Sequence, residues 1–177
     1  SYSIYKKIVD LSVEELRADK AFFHIYSEED KSLICIGTSG DGIQNEISPA
    51  AFDIDLSTPV KTFILDLLET EKNPCLISDP GKKDFLDDTI GSLMVVPLKI
   101  RDKVFGVATA VSFQKNKTFG EKDIYYMDFI TQKAASAIEN IALYENIYDN
   151  LFATLYAFVT ALEVRDLYTR KHSTRVA

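Results

Sequence analysis

The sequence predicts an α+β fold: an antiparallel sheet flanked by helices, with a long C-terminal helix. Three observations predict it. Short aromatic and β-branched runs occur in pairs joined by charged connections at two places, the pattern of antiparallel hairpins. Stretches with apolar residues at three- and four-residue spacing lie before, between and after those pairs. From Glu121 to about Asp166 there is neither proline nor glycine. A helix over that run measures roughly 70 Å at ~1.5 Å per residue.

Each element follows in order. Residues 1–19 place Ile4, Ile8 and Leu11, then Leu16, on one helical face. Ser12 and Glu15 have the spacing of a capping box, so a helix could restart there. "AFFHIY" and "SLICIG" form the first hairpin across "SEEDK". Residues 37–57, with Gly37, Gly40, Gly42 and Pro49, read as a long loop. "STPVKTFILDLLETEKNP" is a helix with Thr58 as cap and Pro59 at its first position. Val60, Phe63, Ile64, Leu67 and Leu68 line its apolar face, and Asn73-Pro74 ends it. "CLIS" is a short strand and "DPGKKDFLDD" a turn-rich loop. "SLMVVPLKI" and "VFGVATAVSF" make the second hairpin across "RDK", with Pro97 confined to a strand edge or a bulge because it has no N–H.

Composition narrows the function. With 46% hydrophobic and 27% charged residues, the 177-residue chain has the make-up of an ordinary globule. A formal charge of −7 argues against nucleic acid and against anionic membrane surfaces. The basic "TRKHSTR" tail does not change that, since few aromatics accompany it. No run approaches the ~18 apolar residues of a membrane span. Cys35 and Cys75 lie in apolar stretches without metal-type spacing, as buried free thiols of a reducing cytoplasm do. No signal peptide is visible, and Ser1 in place of Met suggests further chain upstream.

The final helix carries a seam. Steps of seven from Ala134 meet Ile141, Tyr148, Leu155 and Leu162, and the companion positions are Ala137, Tyr144, Leu151 and Phe158. The first half can lie against the domain's own sheet. Leaving Leu151, Phe152, Leu155, Phe158, Val159 and Leu162 wet would forgo ~10 kcal/mol of burial, so the second half calls for a partner. A parallel homodimer through this helix is the expectation. A helix that breaks near Asp149-Asn150 and folds back is the alternative geometry.

Several motifs together resemble a GAF domain over about residues 3–146. They are "ADKAFFHIYSEEDKSL", Val96-Pro97-Leu98 and Gly106-Val107, then Phe119 to Asp123 and Ala137-Ile138-Glu139-Asn140. The resemblance implies a GAF-like antiparallel sheet flanked by helices, with the long C-terminal helix carrying a signal. The physical sense of these residues stands beside it. Gly106 removes a side chain where a neighbour must come close, Phe119 packs under the following helix, and Asp123 complements that helix's dipole. The ending, "ALEVRDLYTRKHSTRVA", is similar to the opening of an HD-GYP domain. That resemblance implies hydrolysis of cyclic di-GMP at a metal cluster, usually of iron or manganese, with His172 matching the first histidine ligand. Residues 1–146 are then a GAF-like sensory domain, and 147–177 a linker helix and the truncated start of an HD-GYP domain.

Within these residues no catalysis is expected and no cofactor is required. His172 alone cannot hold a metal ion, and no positioned base accompanies a nucleophile. His24, between Phe23 and Ile25, reads as a satisfied sheet histidine, with ligand sensing as the alternative. Relatives that bind cyclic nucleotides carry an Asn-Lys pair and a Phe-x-x-x-Asp-Glu element. Here only Thr118 separates Asn116-Lys117 from Phe119, and Ile124 follows Asp123, which argues against that ligand. The Cys-His pair of bilin-binding relatives is absent, and nothing supports haem at His24. Reduction of methionine sulfoxide, known among relatives, would need clustered cysteines, and Cys35 and Cys75 lie on separate strands. Phe52, Phe63, Cys75 and Phe85 could line a small-molecule pocket or be plain core. Two functions remain: a cytoplasmic sensory module that takes an unidentified small molecule, and a structural dimerisation module that binds none.

Overall fold

The computed structural model describes residues 2–40, 55–78, 89–114 and 117–176, with backbone alone for Tyr2 and 166–176. Elements follow in the order α1 (Tyr2–Leu16), β1 (Lys20–Ser27), β2 (Ser32–Ser39), α2 (Thr58–Thr70), β3 (Cys75–Ile77), β4 (Ser92–Ile100), β5 (Lys103–Ser112) and α3 (Glu121–Val176). The chain divides into two compact units, Ser1–Ile138 and Glu139–Ala177.

In the first unit the strands form one antiparallel sheet in the order β2-β1-β5-β4-β3. Both predicted hairpins are present. They are joined side by side through β1 and β5, with Ala21 opposite Ala110 and His24 opposite Val107. That central pairing spans some eighty residues of sequence and carries no local signal. The bend from β4 to β5 is two residues long, with Arg101 and Asp102 both at positive φ (50° and 65°). That handedness matches the twist of the strands it joins. Pro97 lies opposite Val107, just past the last β3–β4 pair (Cys75 with Val95) and beside the register shift at Leu98/Lys99. Among the described residues it stands at an edge and next to a bulge, the places where a strand tolerates a residue without an N–H.

Side-chain alternation sorts the sheet into two faces. Ala21, Phe23, Met94, Val96, Leu98, Ala108 and Ala110 point to one face. There they meet Tyr5, Ile8, Val9 and Leu16 of α1 and Met127, Ala134 and Ala135 of α3. The alanines let the helices approach closely. Phe22, Tyr26, Leu93, Val95, Val107 and Val111 point to the other, under Val60, Ile64, Leu67 and Leu68 of α2. Phe22, Phe23, Leu93 and Leu98 are fully buried, each worth ~1.5–3 kcal/mol against exposure. Gly106 sits where a Cβ would come within 2.7 Å of the His24 carbonyl oxygen, as its glycine suggested.

Several local expectations are corrected. α1 does not restart at Ser12: its hydroxyl donates to the Ile8 carbonyl at 2.8 Å, four residues back, and the helix continues to Leu16. The buried stripe of α1 is Tyr5, Ile8, Val9, Ser12 and Leu16, while Leu11 is half-buried. The cap of α2 is Ser57 rather than Thr58, and its hydroxyl makes no capping bond. β2 continues through Gly37 to Ser39, so the loop begins later than glycine content suggested. α3 is one uninterrupted helix through Asp149 and Asn150, against the broken alternative. Its start is held by Asp123, whose carboxylate accepts the Gly120 N–H at 2.7 Å, half of a capping box. Phe119 is buried, and its N–H donates to the Ser92 hydroxyl at 3.1 Å. Gly42, Pro49, Asn116 and the "DPGKKDFLDD" loop (79–88) lie outside the described residues. Among the described residues, no helix is long and apolar enough to cross a membrane.

Candidate functional site

Polar side chains gather on the α2 face of the sheet. β1 pairs with β5 in steady register, but against β2 the register slips between Phe23 and His24. Phe23 stands opposite Gly37, and His24 opposite Cys35, so Ile36 is skipped. Residues opposite one another share a face. The extra residue therefore turns Cys35 onto the face of His24; an unbroken register would have turned it to the face of Phe23. The third member is Asp55, two residues before the cap of α2. The ligand-type atoms of His24, Cys35 and Asp55 all lie within 4.8 Å of one another.

Asp55 is the hub. Its Oδ1 lies 2.6 Å from His24 Nε2 and accepts the Leu56 N–H at 2.7 Å, and its Oδ2 accepts from the Lys61 ammonium on the first turn of α2. Burial opposes ionisation of Asp55. Lys61, the His24 ring and the Leu56 N–H together outweigh it and hold the carboxyl below its usual range. Burial lowers the proton affinity of the His24 ring more than Asp55 restores it. An ionised Asp55 therefore accepts a hydrogen bond from a neutral ring, Nε2 carries the proton, and Nδ1 presents a bare lone pair. His24 is fully buried, and Nδ1 has no hydrogen-bond partner among the described residues. The same holds for the Thr109 hydroxyl, opposite Phe22 on β5 and also fully buried. Burial, then the Asp55 charge, pushes the Cys35 thiol up, which disfavours it as a free nucleophile. An open cleft of about 570 Å³ reaches the cluster, lined by Cys35 and Asp55 with Lys6, Ile34, Ile36 and Thr38.

The reading of His24 as a satisfied sheet histidine holds at one nitrogen only. Cys35 is half-buried, as is Cys75 on β3, and the two do not share the cluster. Phe63 packs half-buried against the α2-side core, while Phe52 and Phe85 lie outside the described residues. Lys117 donates to the Arg17 carbonyl. Asp55 was not singled out by sequence. Its only signal was an acidic residue just ahead of a Ser-Thr-Pro helix start, which is common without function.

Over Glu139 to Arg165 every residue but the first is exposed or marginal, and the predicted seam is bare: Ile141 is 38% exposed, Leu151 50%, Leu155 51% and Leu162 58%. Tyr144, Tyr148 and Phe158 are more exposed still. The His172 side chain lies outside the described residues.

The family profile of the GAF domain matches residues 2–139. No curated protein is a significant match. Among solved structures, the chain is similar to a GAF domain/HD domain protein from Geobacter sulfurreducens (16% identity, 80% of this chain and 94% of that one, TM-score 0.61). It is also similar to the PixJ GAF domain of Thermosynechococcus elongatus in its blue-light absorbing form (15% identity, 85% and 91%, TM-score 0.67). A third is the second GAF domain of DevS from Mycobacterium smegmatis (17% identity, 82% and 97%, TM-score 0.61). At these identities the likeness is one of fold.

Proposed function

This chain belongs to the GAF domain family, and on that premise we propose that it is the sensory and regulatory module of a signalling protein. It passes a small-molecule or dimerisation state along α3 to a metal-dependent HD-GYP phosphodiesterase acting on cyclic di-GMP. The observation that carries this reading is the continuity of α3. The helix starts at the family's Phe119–Asp123 element and is unbroken through the segment similar to an HD-GYP opening. The pairing of GAF and HD domains named for the Geobacter sulfurreducens protein supports the same combination of modules. In the proposed output domain His172 would be the first of several ligands to iron or manganese. This chain contributes no catalytic residue.

A helix can transmit a state only if it has two arrangements that the input distinguishes. A parallel pair of α3 helices, packed through Ile141, Tyr144, Tyr148, Leu151, Leu155, Phe158 and Leu162, supplies such an element in its rotation or register. Burying that stripe between two copies removes from water side chains that a single chain leaves 38–65% exposed. The module works in the cytoplasm, as a homodimer, without nucleic acid or membrane contact.

Sedimentation equilibrium tests the pairing. A dimer is expected, and Leu151→Glu with Leu155→Glu should return a folded monomer. A wild-type monomer at high micromolar concentration would refute it. Cyclic di-GMP hydrolysis by the whole protein tests the output. Hydrolysis that is absent, or unchanged on deleting residues 1–145, overturns the regulatory reading.

A further inference from the structure

We propose that His24, Cys35 and Asp55 form a binding site for one borderline transition-metal dication, such as Zn²⁺ or Co²⁺, with a coordination position left open towards the cleft beside β2. Nitrogen, sulfur and oxygen donors from β1, β2 and the approach to α2 converge within 4.8 Å of one another. A soft-to-borderline donor set of this kind suits zinc and its neighbours, and does not suit Mg²⁺ or Ca²⁺. Three protein ligands plus an open position is the arrangement of reactive or ligand-accepting sites, whereas purely structural zinc uses four.

The second observation is His24 itself. A fully buried imidazole is costly as a packing residue, and a valine or phenylalanine would fill a sheet position without the cost. The ion pair of Asp55 with Lys61 does not require it either. A metal accounts for both the histidine and the bulge that brings Cys35 round to it.

The ligating nitrogen is Nε2, the one that faces Asp55, and the geometry needs modest adjustment, with Nε2 and Oδ1 moving apart as the ion enters. Bonds of about 2.05 Å at tetrahedral angles put the nitrogen and oxygen ligands roughly 3.3 Å apart, against 2.6 Å between Nε2 and Oδ1. A bond of about 2.3 Å to sulfur sets its spacing from either of them at roughly 3.5 Å. Binding releases the Cys35 thiol proton to water, and the ring proton of His24 passes from Nε2 to Nδ1. A thiolate and a carboxylate then neutralise the dication, with His24 neutral. Lys61, 29% exposed in its side chain, swings from Asp55 towards solvent as the ion enters. The site does not depend on the signalling reading: a monomeric chain can hold the metal, and a dimer can form without it.

The experiment is a titration of the full chain, purified free of metal, with Co²⁺. Thiolate-to-cobalt absorption in the near ultraviolet is read alongside circular dichroism. Saturation at one ion per chain is expected. The band should vanish in Cys35→Ser and persist in Cys75→Ser. Asp55→Asn should weaken binding at least about tenfold. Lys61→Met should tighten it, because a competing cation leaves Asp55, and a merely structural cluster would show no such gain. Should His24→Asn fail to fold, Cys35→Ser and Asp55→Asn still decide the matter. No thiolate band at stoichiometric cobalt, or a band that survives Cys35→Ser, overturns the proposal.

Discussion

Replacing Gly106 by alanine tests the packing of the sheet at one atom. The added Cβ would lie 2.7 Å from the His24 carbonyl oxygen and 2.8 Å from Cζ of Phe23. Neither neighbour can give way easily. The carbonyl belongs to a central strand, and the fully buried Phe23 ring is stacked on Tyr5 at 4.7 Å between centroids. The backbone at Gly106 is not left-handed, so the objection is space alone. Overpacking of this kind costs ~1–3 kcal/mol. With a urea slope of about 2 kcal/mol/M, the midpoint should fall by roughly 0.5–1.5 M. Both chains must be compared at one protein concentration, since self-association would add to apparent stability. Gly37 is the internal control. A Cβ there meets nothing closer than 3.8 Å, so Gly37→Ala should stay within about 0.5 kcal/mol. Equal midpoints for the two variants would refute the reasoning.

Two further outcomes follow from buried polar groups. Ser92 donates to the Ile77 carbonyl and accepts the Phe119 N–H, both at 3.1 Å, and so ties β4 to β3 and to the approach of α3. Ser92→Ala strands that N–H at a cost of ~1–3 kcal/mol, and thermal unfolding should show a loss of about 2–4 °C for each kcal/mol. Burial raises the Tyr5 phenol above its ordinary 10.0. The unfolded chain thus releases this proton before the folded one. Its contribution is complete below about pH 10 and fades as pH rises through the folded value. Urea midpoints at neutral and strongly alkaline pH should diverge less for Tyr5→Phe than for the wild type.

The elements were legible because their signals are local. Period-two runs marked both hairpins, and the face of α2 was readable from Val60, Ile64, Leu67 and Leu68. The proline- and glycine-free stretch marked α3. Sheet order was not legible, since the pairing of Ala21 with Ala110 depends on burial across the whole unit. Caps failed by one residue or by partner: Ser57 in place of Thr58, and a Ser12 hydroxyl turned back on its own helix. The candidate site was half visible. His24 stood out as a polar residue in an apolar strand. Cys35 looked like a plain buried thiol, because the slip that skips Ile36 leaves no mark in composition. Asp55 belonged to a stretch with no periodicity to place it.

Pro97 has a consequence for solubility. Past Val95, no strand pairs with the outer flank of β4 among the described residues. Such a flank is a template on which foreign strands polymerise. Pro97 offers that flank no N–H, and Lys99 sets a cation two residues further along. A molecule proposed to meet its twin through helices is thereby protected from meeting it through β-structure, where growth would have no natural end.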